Sequence, residues 1–185
     1  MFPNAAELSE FEKLRLDIRV QKDRPWHEFV LFRPQILVNV TYRLARAALT
    51  IPFIGWFARL LHAMVSVPFG ISIPPTVEAG PGLAFAPFGT MVIHPRARIG
   101  SFVRLYHLVT IGSNDGGRIP MLGDFVTVYA GAMVVGDSTI GSHARVGAQA
   151  FVSDMSVPAG ATVVGAPAKI VHIHEAAARQ AEMKN

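Results

Sequence analysis

The chain has 185 residues, no cysteine, 16 glycines, 13 prolines and a formal charge of +4. That length suits one domain, or a small helical part joined to a larger one. The lack of cysteine excludes disulfides, thiolate metal sites and a cysteine nucleophile, and no interleaving of aromatic and basic residues points to nucleic acid.

Glu7, Glu10 and Glu12 stand where a secretory leader would need a basic start and an apolar core, so a cytoplasmic chain is expected. Residues 5–66 read as helical. Leu8, Phe11, Leu14 and Ile18 recur at helical spacing, and Pro34 divides the apolar stretch that comes after Pro25. A third helix, about 52–66, is apolar on most faces and is expected to cap the adjoining C-terminal region or to pack between subunits. Pro52, Gly55, Arg59, His62 and Pro68 break this region too often for a membrane span of about 20 apolar residues. Peripheral contact of the helices with a membrane stays open.

Beyond Ile71 the pattern changes. Aliphatic residues fall at 71, 77 and 83, then at 93, 99, 105 and 111, then from 122 to 152 in steps of six, and finally at Val164. From residue 99 the fifth place of each hexad is small or branched, as in Val103, Val109, Val126, Ala132, Ser138, Ala144 and Ala150. Neither a strand of period two nor a helix of period 3.6 sustains period six. A chain that turns a corner every six residues does, and three sides close one triangular coil. The reading is therefore mainly β: a parallel β-helix of about five coils preceded by an α-helical N-terminal region. The expected boundaries are 1–70 for the helices, 71–170 for the β-helix and 171–185 for a C-terminal tail. Two gaps in the count, 83 to 93 and 111 to 122, hold four and five extra residues and are expected to leave the solenoid as loops.

Within each hexad the first and fifth residues point inward. His107 stands two places after Leu105 and so points outward. One coil further on, with the loop's five residues included, the same column reaches Ala130, then Ala148 and Ala166. His94, after Ile93, is also outward, and His143 is expected to be exposed, while His27 and His62 read as packing or capping residues of the helices. A zinc site needs three imidazoles on one tetrahedral ion. His94, His107 and His143 occupy different hexad positions, so no metal is expected.

The segments "IGSHARVGAQAFV" and "VPAGATVVGAPAKIV" resemble the closing coils of the left-handed β-helix hexapeptide acyltransferases. "IPPTVEAGPGLAF", "MVIHPRARIG" and "VTIG…PMLGD", together with the helical start, resemble the serine acetyltransferase branch. The resemblance implies acetyl-CoA as donor, a homotrimer and active sites between neighbouring subunits. It also implies a groove for the pantetheine arm over Ala130, Ala148 and Ala166, with Lys169 near the nucleotide phosphates. Two histidines typical of that branch are replaced, one by Pro87 (after Ala86) and one by Ile119. Acetyl transfer needs a base for the acceptor proton and donors for the oxyanion. Sugar N-acetyltransferases of this fold place their base in segments like "HNVVIG", and "HLVTIG" matches that register. His107, with His94 ranked behind it, is thus the candidate base for acetylating a hydroxyl or amino group of a sugar, glycan precursor or related small molecule. The alternative reading is a catalytically inactive trimeric CoA-binding or scaffold pseudoenzyme.

Overall fold

A computed structural model describes residues 7–21, 34–86, 89–114 and 117–175. Three helices, α1 (Glu10–Gln21), α2 (Pro34–Ala47) and α3 (Ile54–Ser66), precede a parallel β-helix that begins at Ile71. Ser9 and Glu12 exchange hydrogen bonds at the start of α1, closing a capping box. The region around Pro25, including His27, lies outside the described residues.

The β-helix has three faces, each a stack of five parallel strands, one strand from every coil. On the first face Ile93, Ile111, Val134 and Val152 stand in register; on the second Ile99, Leu122, Ile140 and Val157; on the third Phe85, Leu105, Val128, Val146 and Val163. All of these are buried, and the fifth-place residues Val103, Val109, Val126, Ala132 and Ala144 are fully enclosed between them. The corners turn at single residues of positive φ, and on the edge between the second and third faces these are Gly82, Phe102, Phe125, His143 and Gly160. Rings stack down that edge, Phe102 on Phe125 at 5.1 Å and Phe125 on His143 at 4.8 Å. His143, expected to be exposed, is half-buried in this stack.

The register corrects the hexad count at both ends. In the first coil Ala79 and Phe85, not Val77 and Leu83, pair with Ile99 and Leu105. Both sets are buried, so counting aliphatic residues could not separate them. The step from Phe85 to Ile93 is eight residues, which leaves the first loop two extra residues rather than four. At the other end Val152 is succeeded in register by Val157, five residues on, because the corner at Asp154 is one residue shorter. Val163 is therefore the core residue, 0% exposed, and Val164 turns outward at 39%. Val163→Ala is expected to lower stability by about 2 kcal/mol and Val164→Ala to leave it nearly unchanged, as read from urea unfolding midpoints. Equal effects would place the register wrongly.

A solenoid must cover its end coils. Here α2 does most of this, where the sequence reading has the third helix either capping the coil or packing between subunits. Tyr42 donates to the Val77 carbonyl (2.8 Å), Asn39 to that of Leu83 (3.0 Å), and Arg43 to those of Ala79 (2.9 Å) and Gly80 (2.6 Å). Burial pushes the Tyr42 phenol up to about 12. Arg43 also meets Asp17 of α1 at 2.8 Å, and Asp17 accepts from the Leu83 amide at 2.9 Å. α3 touches the first coil through His62, whose Nε2 bonds the Ile73 carbonyl at 2.8 Å and whose Nδ1 meets Thr41 at 3.0 Å. Desolvation lowers its pKa. His62 is a packing residue, as the sequence suggested.

Candidate active site

The three outward histidines of the solenoid sit at three different edges of the triangle. His94 ends a first-face strand, Met91–Ile93; His143 belongs to the edge between second and third faces; His107 stands where the third face turns into the first. From His107 to Gly112, which stacks beside His94, the chain runs one strand length, about 15 Å. The two candidate bases are therefore not brought together within one chain. His94 is half-buried, and its Nδ1 accepts the Arg96 backbone N–H at 3.2 Å.

His107 has a more confined setting. Its carbonyl accepts from the Gly131 amide of the next coil at 3.0 Å, and the adjacent residue, Leu108, turns the corner with φ 59° and donates to Thr90. The first loop passes directly over it at Gly89: a Cβ built there would come within 2.5 Å of the His107 Cβ. Only glycine permits so close a crossing. The ring is half-buried, and its Nδ1 is shielded from solvent with no hydrogen-bond partner among the described residues. A buried polar atom left unpaired is costly. Pro87 lies outside the described residues. Ile119 is half-buried and packed against the core, where it has no proton to offer.

The column that starts at His107 continues through Ala130 and Ala148, as the third-face register requires. At the last coil the shortened corner shifts it by one, so Gly165 and not Ala166 completes the column. Ala166 lies one residue further on, before a cis bond to Pro167 in the turn that leaves the solenoid. The strand Lys169–Ile173 then returns antiparallel, with Lys169 opposite Val164. Directly opposed residues share a face, so Lys169 stands at the end of the outward column formed by Tyr106, Tyr129, Gly147 and Val164. Tyr106 and Tyr129, whose rings lie 5.1 Å apart, wall the column beside His107. Arg145, exposed on the same face, is a cation that motif reading passed over.

The second loop is tied down on both sides. Asn114 donates to Asp154 at 2.6 Å, Arg118 pairs with Asp137 at 3.0 Å, and Arg96 donates to the Gly117 carbonyl at 2.9 Å. The Asp137 amide and the Ser153 hydroxyl, both donating to Asp154, lower its pKa. These charged ties fell outside any hexad pattern. Among the described residues no three His, Asp or Glu side chains lie together as a metal site would require.

A triangular β-helix with an open column of small residues ending at a histidine defines an acyltransferase of the hexapeptide-repeat class. A serine acetyltransferase of Helicobacter pylori (strain J99) is 39% identical over 148 residues, spanning 78% of this chain and 85% of that one. One from Staphylococcus xylosus is 38% identical over 117 residues, 62% of this chain and 54% of the relative. Among solved structures, serine acetyltransferase of Neisseria gonorrhoeae superposes with a TM-score of 0.75 at 26% identity, covering 93% of this chain and 71% of that one. A serine acetyltransferase in complex with CoA gives a TM-score of 0.75 at 28% identity, covering 90% and 71%. No family model matches the chain. The chain belongs to the serine acetyltransferase family. It is an O-acetyltransferase that takes its acetyl group from acetyl-CoA. These relatives lend no support to the reading of a silent pseudoenzyme.

Proposed function

We propose that the chain acetylates the hydroxyl of L-serine, with His107 as general base and a homotrimer as the working unit. The place of His107 at the foot of the Ala130–Ala148 column, half-buried under Gly89 and with its Nδ1 unpartnered among the described residues, is the observation that carries the role of this residue. The acceptor is inferred from the relatives' substrate. The imidazole takes the hydroxyl proton as the acceptor oxygen attacks the thioester carbonyl. The tetrahedral oxyanion is held by backbone amides of the loops, and its collapse expels the CoA thiolate, which recovers the proton from the imidazolium. The pantetheine arm lies along Ala130, Ala148 and Gly165, beside Ala166, and Lys169 meets the nucleotide phosphates. His94 lies on the far side of a site that a neighbouring subunit completes, with the loops at 84–92 and 112–121 facing that neighbour.

A second reading, a sugar or glycan hydroxyl as acceptor, rests on the resemblance-based expectation that Ile119, an apolar residue packed against the core, replaces a histidine of the serine acetyltransferase branch. Release of free CoA, monitored with a thiol reagent, separates the two. Turnover is expected with L-serine and not with a panel of sugars. Turnover with sugars alone would replace the first reading by the second, and turnover with neither would remove both.

A further inference from the structure

The outer surface of the third face carries two columns of side chains. One holds Tyr106, Tyr129, Gly147 and Val164 and ends at Lys169. The other, two residues back along each parallel strand, runs through Ala84, Arg104, Thr127, Arg145 and Thr162 and ends at His172. Neither column contains an acidic residue. Among the described residues no ion pair joins Arg104, Arg145 or Lys169 to a carboxylate. The face is therefore positive and uncompensated, a surface that draws anions.

The charge gathers at the last coil. Arg145, Thr162 and His172 stand directly opposite one another on three neighbouring strands, so their side chains leave the face side by side at steps of about 4.8 Å. His174 packs edge-on against His172, with ring centroids 4.2 Å apart, and its backbone N–H donates to the Gly160 carbonyl at 2.9 Å. Desolvation, then the positive fields of His172 and Arg145, lower the His174 pKa. A guanidinium, a hydroxyl and an imidazole in one row make a donor set for phosphate oxygens. The way to this row from the donor column is open. Gly147, between Arg145 and Ala148, has no side chain, and a Cβ there would come within 2.7 Å of the Val164 Cγ1. Acetyl-CoA carries phosphate in its diphosphate link and on the ribose 3′-oxygen, and Lys169 stands at the end of the column for the first. We propose that Arg145, Thr162 and His172 hold the second, so that the last coil selects CoA over its 3′-dephosphorylated form. The assignment takes the donor's course along Ala130 and Ala148 from the function proposed above.

Isothermal titration calorimetry of the full chain with CoA and with 3′-dephospho-CoA tests it. The parent is expected to bind CoA at least about tenfold more tightly. Arg145→Gln/His172→Gln is expected to weaken CoA alone and bring the two affinities within about twofold of each other. Both positions are exposed, so circular dichroism should not change. Arg104→Gln removes an equal charge two strands away and is expected to keep the parent's ratio. Ala148→Phe fills the groove and is expected to weaken both ligands alike. The phosphate site is overturned if the parent does not distinguish the ligands or if the double variant keeps the parent's ratio. It is also overturned if Arg104→Gln abolishes the ratio as fully, since the effect would then be one of overall charge. Unchanged affinities in Ala148→Phe would instead overturn the groove along Ala130 and Ala148, with the ratio still deciding the phosphate site.

Discussion

His107→Ala is expected to lower kcat for acetyl transfer by about 10²- to 10⁴-fold, the usual contribution of a positioned general base. The KM for acetyl-CoA is expected to stay within about threefold of the parent value, because the ring ends the column rather than lining its length. His107→Asn separates chemistry from shape. It keeps a polar side chain under Gly89, where the loop passes within van der Waals reach of the His107 Cβ, yet it has no basic nitrogen. Both variants should fall together in kcat, with unfolding midpoints close to the parent. The role fails if either retains activity within about threefold, and His94 then becomes the residue to replace.

The second large effect concerns stability. Asp17 and Arg43 are 0% and 1% exposed, and their carboxylate and guanidinium meet at 2.8 Å. Burial pushes the Asp17 carboxyl up, and the charge and hydrogen bonds of Arg43 only partly pull it back. The pair is thus a poor source of net stability but a hazardous one to break, since removing one partner strands the other's charge in the interior. Asp17→Ala is expected to cost about 3–5 kcal/mol, a large share of a typical domain's margin. It also leaves the Leu83 amide without its acceptor. Arg43→Ala should cost a similar amount, because the Ala79 and Gly80 carbonyls lose their donor as well. The double variant Asp17→Leu/Arg43→Met removes both charges and is expected to recover part, not all, of the loss, the Ala79 and Gly80 carbonyls still lacking the Arg43 donor. Urea unfolding of the four proteins gives the coupling. Losses that simply add would show that the two side chains act separately.

The β-helix is legible in the sequence because its core repeats. Leu105, Val128 and Val146 recur on a period that no single strand or helix produces, and the two loops show as breaks in it. The pattern misleads where the repeat is degenerate. In the first coil Val77 and Ala79 are both buried, as are Leu83 and Phe85, so either phase satisfies it. In the last, one missing residue at Asp154 moves every later position, and with it the assignment of Ala166. His107 stands out from phase alone, whereas the contact with Gly89 depends on a loop crossing that no periodicity encodes. The cap is hidden for a related reason. Hydrophobicity marks α3 as the helix to bury, but polar side chains of α2 reach the backbone groups of the first coil. Such a match between side-chain donors and a particular set of carbonyls leaves no trace in composition.

The shortened corner at Asp154 has a metric consequence. Stacked strands are about 4.8 Å apart, so the column from His107 through Ala130 and Ala148 to Gly165 rises about 14 Å in three steps. In the proposed arrangement the solenoid works as a ruler graduated in coils, with the reacting centre at its zero mark and Lys169 as its end stop. The lost residue sets that stop. It turns Val164 outward and folds the chain back at once, bringing Lys169 against the third face rather than beyond it. The length of donor that fits is then measured in whole turns of backbone, and can change only by a coil at a time.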